Sequence, residues 1–245
     1  MRKLDENEKG GYRIYSKEYR GRSKNRENVS NLRSFCLDSA RKAGLTNNLY
    51  FSRNFIKRHF VLENLNSVLT GCSLAESKAH ILDFGPGFGI LLPALSRMYD
   101  KVTALDVDRS QMKASQSIVN SAGITNVSLV LKSPSDEFDA FGDHSFSAIV
   151  ADNVLEHMED PTSVLPHFIR ILKNAGLIVL SLPSEGHIYR FFENPLDGHL
   201  LRTKASIDSL LSNFKSRLRE IASLDSFPFF LTRVYMIGEE DNNRI

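Results

Sequence analysis

His80-Ile81-Leu82-Asp83-Phe84-Gly85-Pro86-Gly87-Phe88-Gly89 is a short apolar run that ends in an acid and turns at once into glycines. The pattern is D-x-G-x-G-x-G: a strand, a tight turn, then a helix. Glycine allows positive φ and lets the backbone come close to a ligand. In parallel α/β sheets, ligands sit at the carboxyl ends of the strands. A second acid, Asp106, closes the next run, Val102-Thr103-Ala104-Leu105-Asp106, 17 positions after Gly89. A carboxylate at that point can accept both hydroxyls of a ribose. The two features support each other, because a ligand on the loop puts its ribose near the second strand.

Working outward, short apolar runs recur at His80–Phe84, Val102–Asp106, Val127–Leu131, Phe146–Ala151 and Leu177–Leu182, with helical stretches near 88–98, 109–122 and 161–173. Strand–helix alternation of this kind predicts a parallel sheet covered on both faces. The ending differs. Thr203–Phe214 reads as a helix, and β-like stretches at about 217–227 and 229–237 are broken at Phe227-Pro228. Two strands joined so closely must be antiparallel. Before the sheet, the apolar positions Phe51, Phe55, Ile56, Phe60, Leu62, Leu65, Val68 and Leu69 recur at helical spacing. Ser52 is the expected N-cap of that helix and Gly71 its expected end.

Composition bounds the class. The 245 residues are 42% hydrophobic and 24% charged, enough apolar material for a real core. The net charge of +2 argues against an overall electrostatic grip on nucleic acid. It is an average over unlike parts, however. Residues 1–33 hold ten basic side chains against five acidic ones, leaving the remainder net acidic. That leading segment reads as a solvated, partly disordered basic arm, as a flap that orders over an anionic ligand, or as an arm for nucleic acid. No apolar run approaches the roughly 18–20 residues that cross a bilayer, so no membrane span is expected. The N-terminus lacks the apolar stretch of a signal peptide. Cys36 and Cys72 form no CxxC pair, so reduced thiols and a cytoplasmic location are expected.

Two nucleoside ligands compete for the loop. The dinucleotide fingerprint is G-x-G-x-x-G, and this chain has G-x-G-x-G. Asp83 would repel a pyrophosphate but can engage an ammonium, directly or through water. A ligand with an amino-acid end and an adenosine end satisfies both acids. On these residues, Asp83 through Gly89 resembles motif I of the class I S-adenosylmethionine-dependent methyltransferases, and Asp106 falls at their ribose-binding acid. The resemblance runs from about His80 to Pro183 and is nearest the small-molecule subgroup of types 11 and 23. It includes Val154-Leu155-Glu156-His157 with Asp160-Pro161, and Ile171-Leu172-Lys173-Asn174-Ala175-Gly176, where the family shows a Leu-Lys-Pro-Gly-Gly-like turn. It implies an α/β Rossmann-like fold: a seven-stranded, mostly parallel sheet with a C-terminal antiparallel hairpin, behind an N-terminal helical and basic extension. The expected division is an arm or lid over 1–49, a packing helix over 50–75 and the methyltransferase domain over 76–245.

The resemblance further implies an enzyme using S-adenosyl-L-methionine, held by Asp83, Gly85, Gly87, Gly89, Asp106, Val107 and Asp152. Many relatives place an acid after strand three for the adenine amino group. Here Lys132-Ser133-Pro134-Ser135-Asp136 stands there, so Ser133, Asp136 or backbone groups must serve. His157 is the candidate base on chemical grounds, because an imidazole titrates near pH 7; the alternative is that it holds its loop by hydrogen bonds. His199 is a second catalytic candidate. His187, Tyr189 and Arg190 are the candidate acceptor contacts after strand five. The related ubiquinone-type O-methyltransferases have Glu-x-x-Glu-His, which can hold a metal; Asn153 replaces the first carboxylate here, so no metal is expected. Methylation of nucleic-acid amines is marked by an Asp/Asn-Pro-Pro-aromatic loop, and Asp152-Asn153-Val154-Leu155 offers no ring to stack a flipped base. A small-molecule acceptor methylated at oxygen is therefore expected, with an anionic metabolite or sugar-type intermediate favoured by the basic arm. The alternative is a binding or regulatory protein that keeps the fold without turnover.

Overall fold

A computed structural model describes residues 12–14, 26–47, 55–75, 79–132, 138–183, 209–224 and 230–238. The strands are β1 (Tyr12–Ile14), β2 (His80–Phe84), β3 (Lys101–Asp106), β4 (Val127–Leu131), β5 (Phe146–Asp152), β6 (Leu172–Pro183), β7 (Leu218–Leu224) and β8 (Phe230–Ile237). They form one sheet in the order β1-β7-β8-β6-β5-β2-β3-β4. Neighbours from β6 to β4 are parallel, and β6–β8, β8–β7 and β7–β1 are antiparallel. The expected seven strands and the terminal hairpin are present, and β1 adds an eighth, three-residue strand at the β7 edge. From β2 the chain moves outward through β3 and β4, then returns to place β5 on the other side of β2. That reversal opens a crevice at the carboxyl ends of β2 and β5.

The apolar alternation of the strands fills two cores. On one face Ile81, Val102, Ala104, Ala148, Val150, Leu177, Val179 and Val234 meet α1 (Arg26–Lys42), α2 (Phe55–Cys72), α3 (Leu92–Met98) and α4 (Arg109–Ser121). On the other, Leu82, Phe84, Ile149, Ile178, Leu180 and Tyr235 pack against α5 (Leu165–Ile171) and the rings of Phe138 and Phe168. Burial of this continuous apolar surface, at about 25 cal/mol per Å², is the main force holding the layers together.

The helices differ from expectation at their ends. Near 88–98 only Leu92–Met98 is helical, because the positive-φ glycines at 87 and 89 occupy the preceding turns. Near 161–173 the helix covers Leu165–Ile171, since Leu172 already pairs with Phe146. Gly71 does not end α2, which continues to Cys72. A Cβ there would lie 3.0 Å from Val179 Cγ1 and 3.1 Å from Val234 Cγ2. The missing side chain therefore lets the helix settle on β6 and β8. Ser52 and Thr203 lie outside the described residues, as does the Phe227-Pro228 break. Within the segment read as a basic arm, Arg26–Lys42 forms a 17-residue helix whose Val29 and Cys36 reach the first core. Both cysteines are buried free thiols, and burial pushes Cys36 up to about 12.

Candidate active site

Three carboxylates converge at the carboxyl ends of adjacent strands: Asp83 from β2, Asp106 from β3 and Asp152 from β5. Asp106 is held by backbone. Its Oδ2 accepts from the Gly87 amide at 3.2 Å and its Oδ1 from the Asp108 amide at 2.9 Å. Asp108 in turn caps α4, accepting from the Ser110 and Gln111 amides. The local sequence thus fixes the acid between the glycine loop and the start of the next helix. Beside it, Val107 is 65% exposed, and among the described residues it is the large hydrophobic side chain that faces water.

Asp83 has the opposite environment. It is 1% exposed, and both carboxylate oxygens lack any hydrogen-bond partner. Burial, then the nearby Asp152 and Asp106, holds its carboxyl well above the usual carboxylate range. A buried carboxylate without donors is costly, and an ammonium group or a water would relieve it. Asp152 is half-buried, and its partial removal from water pushes it up to about 6 against the lowering effect of its hydrogen bonds. Asn64 Nδ2 donates to both its oxygens, at 2.9 and 3.1 Å, and Asn153 Nδ2 donates at 2.9 Å.

The glycines divide their work. Gly85 has φ +70, and a Cβ on it would strike Val154 at 2.5 Å, so the loop after β5 closes directly onto the turn after β2. Gly87 has φ +56, and the nearest atom a Cβ would meet is the Gln111 carboxamide oxygen at 3.1 Å. Its face is the open one of the loop. Gly89 packs on Ser115, whose hydroxyl donates to the Gly87 carbonyl at 2.8 Å.

His157 lies on the exposed side of a 3-10 turn, Leu155–His157, whose other two residues are buried. Its amide donates to the Val154 carbonyl at 3.0 Å. Ser133 and Asp136, His187, Tyr189, Arg190 and His199 lie outside the described residues. Two contributors escaped the sequence reading, Asn64 and Ser181. The Ser181 hydroxyl donates to Asn64 Oδ1 at 2.7 Å, and both side chains are buried. Their signal was polarity in an apolar frame. Asn64 stands four positions from Phe60 and from Val68 on the buried stripe of its helix, and Ser181 interrupts the Leu177–Leu182 run.

A family model described as a methyltransferase domain matches residues 82–180. Among curated proteins, a ubiquinone biosynthesis O-methyltransferase of Xanthomonas oryzae pv. oryzae is 31% identical over 103 residues, covering 42% of each chain. The chain thus spans less than half the length of the curated relatives it matches. Among solved structures, a SAM-dependent methyltransferase from Aquifex aeolicus superposes with a TM-score of 0.56 at 19% identity, over 66% of this chain and 84% of that one. A Pyrococcus horikoshii protein gives a TM-score of 0.61 at 13% identity, over 78% and 97%. At such identities the structural likeness establishes the fold.

Proposed function

We propose that this chain, which over residues 82–180 belongs to the class I S-adenosylmethionine-dependent methyltransferases, transfers a methyl group to the oxygen of a small-molecule acceptor. The observation that carries the reading is Asp83, a buried carboxylate without a partner beneath a glycine loop whose Gly87 face is open. The residues fit the cofactor at both ends. Asp83 and Asp152 would answer its ammonium, Gly85 and Gly87 would admit its backbone-like portion, and Gly89 would fix the loop on α4. Asp106 would accept from the ribose hydroxyls, and Val107 would cover the adenine face. Ser133 remains the proposed adenine contact after β4.

When bound, S-adenosylmethionine would supply a methyl group that an in-line nucleophile takes as its carbon–sulfur bond breaks and the neutral thioether leaves. Much of the rate then comes from positioning, with a base needed only where the acceptor is poorly ionised. An acceptor hydroxyl must give up its proton as it is methylated. His157, next to the site on the loop after β5, is proposed to take it on an imidazole nitrogen, with His199 as a second candidate. His187, Tyr189 and Arg190 are proposed to contact the acceptor. Oxygen is favoured by the curated relatives' name, and a small molecule by the absence of a Pro-Pro-aromatic run after Asp152. Among the described residues no helix is long and apolar enough to cross a membrane.

Isothermal titration with S-adenosylhomocysteine tests the cofactor site. Micromolar-range binding is expected, and no binding by folded protein would sink the reading. Transfer of labelled methyl across a panel of hydroxyl, amine and carboxylate acceptors tests the rest. Binding without transfer to any of them would favour a regulatory role.

A further inference from the structure

The site includes a helix that the matched family segment leaves out. Asn64 lies on α2, which precedes residue 82, yet its carboxamide reaches Asp152 at the end of β5 with both Nδ2 contacts. Its own Oδ1 is fixed by the Ser181 hydroxyl at 2.7 Å. Ser181 is the residue opposite Asp152 across the β5–β6 pair. A hydroxyl and an amide thus clamp one carboxylate from the neighbouring strand and from the helix above. The chain runs Ser181 Oγ–H to Asn64 Oδ1, then Asn64 Nδ2–H to Asp152.

Buried Ser67 and Thr70 satisfy their hydroxyls on carbonyls of their own helix, but Asn64, 7% exposed beside Leu65, Val68 and Leu69, carries an amide whose desolvation packing alone does not need. Leucine would fill the same volume. What asparagine adds is a donor aimed at a carboxylate and an acceptor aimed at a hydroxyl. We propose that Asn64 is a positioning residue of the cofactor site, holding Asp152 oriented and ionised to receive the cationic amino-acid end of the ligand. This rests on the cofactor reading above and names a residue outside the methyltransferase segment on which that reading depends.

The physical effect has a definite sign. Hydrogen bonds to a charged carboxylate favour its ionised form. Burial pushes the other way, as does any like charge beside it. The titratable groups that share its surroundings are the Asp83 carboxyl on β2, with Asp106 beyond it, and the Cys72 thiol on α2. Asn64, Asn153 and Ser181 are neutral. With the Asn64 donors removed, Asp152 must hold its proton to a higher pH. A protonated Asp152 has no charge to offer an ammonium, so affinity should fail at a higher pH than in the unaltered protein.

The test is S-adenosylhomocysteine affinity between pH 5 and pH 8.5, by titration calorimetry, for the full chain and for Asn64→Leu. In the unaltered protein, affinity should fall as pH drops through about 6. In Asn64→Leu the midpoint should rise by about one pH unit, so that affinity drops about three-fold near pH 6.5 and about eight-fold near pH 5.5 while that at pH 8.5 changes less than about two-fold. Ser181→Ala, a milder change that frees only the far end of the clamp, should move the midpoint the same way by a smaller amount. It decides the matter should Asn64→Leu fail to fold. In an Asp152→Asn background the Asn64 substitution should move no midpoint. Equal loss of affinity at every pH, or an unmoved midpoint, would reduce Asn64 to packing and overturn the inference while leaving the cofactor reading standing. Absence of binding by the unaltered protein at any pH would remove both.

Discussion

Asp83 sits where a carboxylate is least stable, and that discomfort has two measurable consequences. In the unfolded chain it titrates near 3.8, and in the folded protein burial and Asp152 raise it well above that. A carboxyl raised on folding contributes stability that is fully present below the unfolded value and is lost as pH rises through the folded one. Asp152 acts in the same direction between 3.8 and about 6. Asp83→Asn removes the Asp83 part. The variant should match the unaltered protein in thermal stability near pH 4 and exceed it increasingly toward pH 8, by at most about 1.4 kcal/mol per pH unit. Its affinity for S-adenosylhomocysteine should drop at least ten-fold, by loss of a charge facing the ammonium. Melting curves across pH and calorimetry would check the two halves; a variant that is less stable at pH 8 would contradict the account. Asp106→Ala should also weaken binding, by roughly 3 kcal/mol for two charge-assisted hydrogen bonds. Unchanged affinity would mean the ribose lies elsewhere.

At the scale of elements, the turn into β6 carries a local misfit. Phe146 pairs with Leu172 and Ala148 with Leu177, so residues 173–176 bulge out of the ladder. Ala175 there has φ +56 and is exposed. A left-handed alanine costs about 1–2 kcal/mol that glycine does not. Ala175→Gly should therefore raise stability by about 1 kcal/mol, or about 2–4 °C in melting temperature. Gly176→Ala should lower it, because a Cβ there would lie 2.7 Å from the Lys173 carbonyl. The glycine run, the acid after β3 and the strand ends were legible in the sequence because continuously buried strands and positive-φ glycines leave local marks. Gly71 was misread, since a glycine near a helix end has the same spelling whether it stops the helix or lets it touch a sheet. Only the positions of Val179 and Val234 separate the two. Asn64 and Ser181 were visible as polar residues in apolar frames, but their meeting joins positions 117 apart, which no local pattern encodes.

For the molecule as a whole, the sheet explains how the cofactor reading and the leading segment relate. The first core is built from α1 and α2 as much as from α3 and α4, so both leading helices are part of the body that carries the carboxylates. β1 covers the outer edge of β7. An uncovered edge is a template for pairing with another chain. A variant lacking residues 1–25 should self-associate more readily at rising concentration, read by light scattering, while its S-adenosylhomocysteine affinity stays within about two-fold, since β1 and the crevice lie on opposite sides of β6. A large loss of affinity would instead place the leading residues over the ligand.

The pairing of Tyr12 with Leu224 spans 212 positions. A ribosome adding about 5–20 residues per second delivers Tyr12 at least ten seconds before its partner leaves the tunnel. Throughout that interval the parallel strands can assemble in sequence, β2 to β6, but the sheet's last edge cannot close. The earliest of the described strands must therefore wait for one of the latest of them, and this edge of the sheet fastens only after β7 has been made.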